Sequence, residues 1–280
     1  MRDVAEGTEV APRTATEELF RLDGQVAIVT GASGLLGEQH ALALSDAGAA
    51  VVLSDVRPSR CEELASRLRG QPGRRALAVA GDVTSAEAWR DVLEKVLAEF
   101  GRVDILVNNA AYTNQSPTPA YSAGPAAFPI EDWRQILDVN LTGVFLGCQT
   151  IGKQMLQQKS GSIINLASLY GVVSPNHRIY PGTGLHQPIA YSVSKGAVIN
   201  LTRYLATAWA EAGVRVNCIT PGGVQNGQPQ LFRDRFAALN PMGRMQQPDE
   251  IRGAVVYLAS AASRYCTGHN LVVDGGWTIW

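Results

Sequence analysis

Residues 26–44 read VAIVTGASGLLGEQHALAL, and the architecture of the chain follows from this segment. Its first five residues are apolar or β-branched and predict a buried strand. A glycine-rich turn (31–37) comes next, and the residues from Glu38 onward predict a helix. Glycines let a backbone approach a pyrophosphate closely, and a helix N-terminus supplies amide donors and positive dipole. Strand, turn and helix in this order therefore predict a nucleotide-binding element.

Strands and helices alternate along the rest of the chain. Predicted strands cover 26–30, 50–54, 76–80, 103–107, 162–166, 214–219 and 270–273. Predicted helices begin at 38 and cover 59–68, 85–100, 131–157, 189–212 and 249–260. This alternation predicts an α/β fold: a single Rossmann-type doubly wound domain of about seven parallel strands with helices on both faces. We expect residues 21–280 to form this dinucleotide-binding and catalytic domain, residues 1–20 a flexible tail, and residues 225–247 a mobile stretch.

Composition narrows the class of partner. The 280 residues are 46% apolar, carry a net charge of −1, and contain no apolar run long enough to span a bilayer. Basic residues are dispersed, so we expect neither nucleic acid nor a membrane as partner. The four cysteines are widely separated, which is typical of reduced thiols and predicts no metal site and a cytoplasmic location.

Polar side chains stand at the ends of several predicted strands. Asp55 lies about 20 residues after the glycine-rich turn, where a carboxylate binds an adenosine ribose and repels a 2′-phosphate. This favours NAD and makes NADP less probable, although Arg57 could soften the preference. Asp82 ends the third strand, and Asn108 and Asn109 end the fourth. We give the asparagine pair a structural and a cofactor-binding interpretation of equal weight.

A tyrosine and a lysine form the candidate catalytic pair. Tyr191 and Lys195 are four residues apart on a predicted helix, so their side chains share one face. A cation within about 4–6 Å favours the phenolate and lowers the pKa of tyrosine. Such a phenol can exchange a proton with an alcohol or a ketone near neutral pH.

These motifs, taken together from about residue 22 to residue 280, resemble the short-chain dehydrogenase/reductase family. They occur in family order as Thr30-Gly31 to Gly37, Asp55, Asp82-Val83, Asn108-Asn109-Ala110, Asn140, Ser168, Tyr191 with Lys195, Pro221-Gly222, and Val273-Asp274-Gly275-Gly276.

The resemblance implies a catalytic set. Tyr191 would be the general acid and base, and Lys195 would lower its pKa and hold the nicotinamide ribose. Ser168 would bind the substrate oxygen, and Asn140 would hold a water that links Lys195 to solvent. The cofactor contacts that the resemblance implies are Gly31, Ser33, Leu36, Asp55, Asp82, Val83, Asn109, Val224, and Tyr191 with Lys195.

Two features depart from the family pattern. Leu35 occupies the usual position of the middle glycine and Gly34 precedes it, a spacing that is similar to sugar-nucleotide epimerases. Ser168 and Tyr191 are 23 residues apart, about ten more than is usual. The extra residues fall within 171–187 and should border the substrate pocket, because both anchors are catalytic. Their candidate substrate contacts are Arg178, Tyr180 and His186, which suggest a hydroxyl-rich or anionic substrate. The alternative interpretation of equal weight is a solvated surface loop.

We predict an enzyme that transfers a hydride between NAD(H) and a small secondary alcohol or ketone, such as a sugar or polyol. One alternative is a sugar-nucleotide epimerase or dehydratase with tightly held NAD. The other is a non-catalytic dinucleotide-sensing binding protein. The resemblance implies a homo-oligomer, with a tetramer favoured, and we expect the apolar C-terminus at 277–280 to dock on a neighbouring chain.

Overall fold

The computed structural model describes residues 15–112 and 124–280. Its centre is a parallel sheet of seven strands in the order β3-β2-β1-β4-β5-β6-β7. The strands are β1 (Val26–Thr30), β2 (Ala50–Asp55), β3 (Ala76–Ala80), β4 (Ile105–Asn108), β5 (Gly161–Leu166), β6 (Val214–Pro221) and β7 (Asn270–Val273). The predicted Rossmann-type doubly wound α/β domain is therefore confirmed.

Nine α-helices of the described residues cover the sheet. They are α1 (Leu35–Asp46), α2 (Pro58–Arg69), α3 (Ala86–Phe100), α4 (Ile130–Leu137), α5 (Gly143–Gln158), α6 (Leu169–Val172), α7 (Ile189–Trp209), α8 (Gln230–Leu239) and α9 (Arg252–Ala259).

The core has one layer on each face of the sheet. Successive strand residues point to opposite faces, so Ala27 and Val29 of β1 enter one layer and Val26 and Ile28 enter the other. Helices α1, α2 and α9 cover the first layer, and α3, α5 and α7 cover the second. Both faces of the strands are buried, which explains why the strands appear in the sequence as continuous apolar runs.

The order of the strands locates the site. The chain runs outward from β1 through β2 to β3, then returns to the other side of β1 to form β4. This reversal opens a crevice beyond the carboxyl ends of β1 and β4, where ligands bind in open α/β sheets. Because the seven strands are parallel, the motifs at their carboxyl ends lie along this same edge of the sheet.

Three predicted segments differ from the structure. The predicted helix at 131–157 is divided by a π-helical turn, Asp138–Thr142, between α4 and α5. Residues 225–247, predicted to be mobile, contain helix α8, whose Phe232 and Phe236 are buried. Most of the predicted tail, residues 1–14, lies outside the described residues, and residues 18–20 form a turn of 3₁₀ helix.

Candidate active site

The glycine-rich turn brings its backbone close to the end of β4. Gly31 has a φ of 61°, and a Cβ there would lie 2.8 Å from the Cα of Ala110. Gly34 caps the N-terminus of α1 in an extended conformation, and Leu35 begins that helix. Leu35 is partly exposed and lines the cleft, so its side chain needs no space inside the turn. The unusual glycine spacing is therefore compatible with the ordinary architecture.

Asn109 links the ends of β1 and β4 by hydrogen bonds. Its side-chain amide donates to the carbonyl oxygens of Thr30 at 2.9 Å and Gly31 at 3.2 Å. Its backbone N–H donates to the Thr30 hydroxyl at 3.0 Å. Asn108 is buried and donates to the Asn165 side chain at 2.9 Å, which links β4 to β5. The structural interpretation of the pair is thus observed, and Asn109 also lines the cleft.

Asp55 is a buried carboxylate held at the end of β2. One oxygen accepts from the Ser33 hydroxyl at 2.7 Å and the Ser33 amide at 3.2 Å. The other accepts from the backbone and side chain of Arg57, at 3.0 and 3.3 Å. Ser33 therefore contributes to the site through Asp55. The Arg57 side chain is about half exposed, so water weakens this ion pair.

Asp82, Val83 and Val224 extend the wall of the cleft. The exposed carboxylate of Asp82 accepts from the Thr84 amide at 2.9 Å and from its hydroxyl at 2.7 Å. This Asx-type turn fixes the chain directly beyond β3. Val224 pairs with Gln246 in an isolated bridge that closes the opposite side. Polar turn residues and apolar walls alternate along the cleft, as binding sites for drug-sized ligands usually show.

The cleft has a volume of about 740 Å³ and runs along the carboxyl edge of the sheet. Among the predicted cofactor contacts, it is lined by Gly31, Leu36, Asp55, Asp82, Val83, Asn109, Tyr191 and Val224. A dinucleotide needs a close backbone approach, a helix N-terminus for its pyrophosphate and a carboxylate for its ribose. The Gly31 turn, the start of α1 and Asp55 supply these three features, so the residues fit the group.

Tyr191 and Lys195 lie one turn apart near the start of α7. The Lys195 ammonium lies 5.7 Å from the centroid of the Tyr191 ring and donates to the Leu166 carbonyl at 2.6 Å. Lys195 is almost fully buried, and burial lowers its pKa to about 8. The pair predicted from spacing is therefore brought together beside the last residue of β5.

The expected lowering of the Tyr191 pKa is not found. Desolvation of the partly buried phenol raises its pKa, and the Ser168 hydroxyl opposes that rise through a hydrogen bond. The Lys195 ammonium donates its hydrogen bond to the Leu166 carbonyl and lies 5.7 Å from the centroid of the Tyr191 ring. Protein groups alone therefore leave Tyr191 protonated, and acidification requires further positive charge near the oxygen.

Ser168 is the N-cap of helix α6, and its hydroxyl accepts from the Tyr170 amide at 3.2 Å. Helices α6 and α7 come unusually close together here. A Cβ on Gly171 would lie 2.7 Å from the carbonyl carbon of Lys195 and 2.9 Å from the amide nitrogen of Gly196. The absence of a side chain at position 171 thus sets the distance between the serine-bearing helix and the tyrosine–lysine helix.

Asn140 is fully buried on the π-helical turn. Its side-chain oxygen accepts from the Tyr112 amide at 2.6 Å, and its amide donates to the Tyr112 carbonyl at 3.3 Å. It also donates to the Ser194 hydroxyl at 3.4 Å. A π-bulge within a helix frequently marks a functional position. Asn140 therefore ties the segment after β4 to helix α7, next to Lys195.

The longer segment at 171–187 does border the cleft, but through only part of its predicted contacts. Tyr180 and His186 line the cleft. Arg178 is exposed and does not appear among the described lining residues, because it lies on an outward 3₁₀ turn, His177–Ile179. The prediction that Arg178 contacts substrate is therefore not supported by its position.

Several wall residues were missed by the sequence analysis. Tyr170, Phe232 and Phe236 line the substrate end of the cleft, and Phe236 stacks on Trp277 with ring centroids 4.1 Å apart. Helix α8 carries both phenylalanines, four residues apart. That i, i+4 aromatic pair was a readable signal of a buried helix face.

A nucleotide cleft at the switch point, lined by Ser168 and Tyr191, with Lys195 buried behind them, defines a dinucleotide-dependent oxidoreductase of the Rossmann type. A family model described as Enoyl-(Acyl carrier protein) reductase (adh_short_C2) matches residues 31–278. The D-threitol dehydrogenase of Mycolicibacterium smegmatis is 39% identical over 265 residues, which cover 93% of this chain and 95% of that protein.

Two solved structures are similar across nearly the whole chain. A gluconate 5-dehydrogenase from Burkholderia cenocepacia J2315 in complex with NADP and tartrate has a TM-score of 0.81 at 33% identity, covering 95% of this chain and 100% of that one. An NAD⁺-bound xylitol dehydrogenase has a TM-score of 0.80 at 32% identity, covering 91% and 99%. The chain therefore belongs to the short-chain dehydrogenase/reductase family, and it is an oxidoreductase that acts on secondary alcohols.

Proposed function

We propose that this enzyme oxidises a secondary hydroxyl group of a sugar or polyol with NAD⁺ and reduces the corresponding ketone with NADH. The observation that carries the proposal is the placement of Ser168 and Tyr191 in the wall of a cleft that begins at the glycine-rich turn, with the buried Lys195 one helical turn from Tyr191. The names of the similar proteins, which include a D-threitol and a xylitol dehydrogenase, support a polyol substrate.

The chain's own residues handle the proton and the substrate oxygen. Tyr191 takes the hydroxyl proton in oxidation and returns it in reduction, within the reach of about 2.6–3.2 Å that general bases need. Ser168 donates to the same oxygen and stabilises the charge that develops there. When bound, the oxidised dinucleotide accepts the hydride and brings positive charge towards the phenol.

Lys195 and Asn140 support this proton transfer. We expect the buried ammonium of Lys195 to hold the nicotinamide ribose once the dinucleotide is bound, and to favour the phenolate form of Tyr191 only together with the positive charge of the oxidised cofactor. Asn140 is hydrogen-bonded to the backbone of Tyr112 and to the Ser194 side chain, next to Lys195, and we expect it to hold a water that links Lys195 to solvent. A pKa of about 8 lets Lys195 pass a proton outward near neutral pH.

Asp55 supports NAD over NADP. Its buried carboxylate already accepts four hydrogen bonds from Ser33 and Arg57, which fix it at the ribose position. This negative charge would repel the 2′-phosphate of NADP. Arg57 offers little compensation, because its side chain is paired with Asp55 and about half exposed to water. The Gly31–Gly37 turn adds no basic side chain.

The test is steady turnover with added NAD⁺ and a panel of polyols, sugars and hydroxy acids, followed by absorbance of NADH. The proposal expects one NADH for each ketone formed. An epimerase or dehydratase would convert its sugar nucleotide with no net NADH, and a dinucleotide-sensing protein would bind NAD⁺ without turnover. Neither alternative is favoured by the similarity to dehydrogenases.

Helices α5 and α7 support association into a homo-oligomer, for which we propose a tetramer. Phe145, Cys148, Leu156, Leu205 and Trp209 line an apolar groove between these helices. Sedimentation velocity on the full chain tests the proposal, and a monomer at micromolar concentration would contradict it.

A reducing, cytoplasmic location is supported by the cysteines, which are free and mostly buried. No helix in the described ranges, 15–112 and 124–280, is long and apolar enough to cross a membrane. We also propose that residues 21–280 act as one dinucleotide-binding and catalytic unit, and that the remainder of the N-terminus is dispensable for turnover. Activity of a chain that begins at residue 21 tests the second point.

A further inference from the structure

Two tyrosine side chains meet at the substrate end of the cleft. The hydroxyl oxygens of Tyr170 and Tyr180 are 2.7 Å apart, which is the distance of a good O–H···O hydrogen bond. Both residues line the cleft. Tyr170 stands two positions after Ser168 on α6, whereas Tyr180 comes from the long segment at 171–187. The segment at 171–187 therefore supplies one hydroxyl group of the pair, and helix α6 supplies the other.

The position of Tyr180 is fixed from several directions. The Thr183 hydroxyl donates to its carbonyl at 2.6 Å, and its ring packs against Phe232 with centroids 5.6 Å apart. The Arg235 guanidinium on α8 donates to the neighbouring carbonyl of Pro181 at 2.5 Å. A side chain held in this way presents its hydroxyl with little entropy left to lose on binding.

The hydroxyl pair is electrically neutral at ordinary pH. Burial raises the pKa of Tyr170 to about 12 and raises the pKa of Tyr180 further. The charge on Tyr191, when present, raises the pKa of both phenols again, so both lie within electrostatic reach of the catalytic oxygen. Neutral phenols near an ionised Tyr191 can serve as donors and acceptors without competing for its proton.

The surrounding wall does not favour a carboxylate or phosphate. Among the described residues at this end of the cleft there is no lysine or arginine, and His186 is the one basic side chain. Apart from the hydroxyl groups, the polar side chains that line this end include the amides of Gln187, Asn226 and Gln228. Without a guanidinium or an ammonium, an anion would lose its hydration and gain no opposite charge.

We propose that Tyr170 and Tyr180 together bind a second, non-reacting hydroxyl group of the substrate and thereby select neutral polyols over monohydroxy alcohols and sugar acids. The proposal rests on the dehydrogenase activity proposed above. One phenol donates to the other, which leaves one O–H donor and free acceptor lone pairs for the substrate. A substrate that lacks the matching hydroxyl leaves these partly buried groups unpaired, which is the basis of strong discrimination.

The experiment compares D-threitol with 2-butanol, which has the same carbon chain and one hydroxyl group, and with gluconate. The chains compared are the parent, Tyr170→Phe, Tyr180→Phe, the double variant, and Tyr265→Phe as a matched control. Tyr265 is fully exposed and lies outside the cleft. Phenylalanine keeps the ring packing, and thermal unfolding of each variant verifies that the fold is retained.

We expect the kcat/KM ratio of threitol to 2-butanol to fall about tenfold in each single variant, mainly through a higher KM. The double variant should lose little more than either single variant, because the two phenols act as one unit. Tyr265→Phe should keep the parent ratio, and the parent should favour threitol over gluconate. If threitol is a poor substrate, the best neutral C4–C6 polyol of the panel replaces it.

An unchanged ratio in both single variants, or a parent that prefers gluconate or 2-butanol to every polyol, would overturn the inference. These results are distinct from failure of the proposed function, which would appear as no dinucleotide reduction with any alcohol. Loss of the threitol preference in the control variant alone would also count against the hydroxyl pair.

Discussion

Replacing Gly171 with alanine tests whether the contact between α6 and α7 sets the catalytic geometry. The added Cβ would lie 2.7 Å from the Lys195 carbonyl carbon, 2.8 Å from the Lys195 oxygen and 2.9 Å from the Gly196 nitrogen. All three are backbone atoms of a long helix and cannot rotate away. The helices must therefore separate, and Ser168 moves with α6 while Tyr191 and Lys195 stay on α7.

The distances around Gly171 determine how much stability and kcat the alanine variant should lose. Ordinary van der Waals contact of a Cβ begins at 3.4 Å, so the contact at 2.7 Å requires roughly 0.7 Å of movement. Overpacking of this kind costs about 1–3 kcal/mol of stability. A misplacement of about 1 Å in a catalytic group can lower the rate by about 10²-fold. We expect kcat to fall between about tenfold and 10²-fold, with binding of NAD⁺ largely kept.

Two other glycines provide matched controls. A Cβ on Gly196, which faces Gly171 across the same contact, would meet its nearest atom at 3.5 Å. A Cβ on Gly253 in α9 would meet nothing within 4 Å. Both alanine variants should keep the parent rate, and Gly253→Ala should gain about 0.5–1 kcal/mol from helix propensity. Steady-state kinetics and urea unfolding measure both effects. A kcat in Gly171→Ala equal to that of the parent would show that the α6–α7 contact does not set the catalytic geometry.

Asp55→Asn should raise the KM for NAD⁺ and shift the kcat/KM ratio towards NADP by about tenfold, since the carboxylate that repels a 2′-phosphate is gone; an unmoved ratio in assays with both dinucleotides would exclude this role. Lys195→Met should abolish turnover yet stabilise the protein at pH 7 by a few kcal/mol. Burial lowers the pKa of Lys195 in the folded state to about 8 from an ordinary 10.5. The free energy of unfolding of the parent therefore rises between pH 8 and 10.5, whereas that of the variant does not. Urea unfolding at pH 7 and at pH 10 measures this difference. Trp277→Ala should cost about 3–5 kcal/mol because Trp277 is buried and stacked on Phe236, whereas Trp280→Ala, at a 77% exposed position, should cost under about 1 kcal/mol in the same unfolding assay.

Local pattern was sufficient to predict the sheet. The strand at Val26–Thr30 and the helix that contains Tyr191 have strong periodicity, and each appears in the structure within a few residues of its predicted bounds. Motif order predicted the cleft, because strand-end residues of parallel strands must meet at one edge. The prediction of family membership is confirmed by the family model that matches residues 31–278.

Contacts between distant segments explain what the sequence could not predict. Helix α8 was predicted as part of a mobile stretch. Its two phenylalanines were a local signal of a buried face, but the burial of that face depends on Tyr180 and Trp277, which lie far away in the chain. Trp277 was expected on a neighbouring subunit but packs on Phe236 of its own chain. The π-helical turn at Asn140 could not be predicted from the sequence either, because its residues have the same apolar periodicity as an ordinary helix.

The acid–base role of Tyr191 is tested most directly by the single-turnover rate of Tyr191→Phe with NAD⁺ and the best polyol. The phenylalanine keeps the ring and removes only the oxygen that exchanges the proton. We predict a rate about 10²–10⁴-fold below the parent, with unchanged affinity for NAD⁺ and unchanged thermal unfolding. A variant that reduces NAD⁺ as fast as the parent would contradict the account.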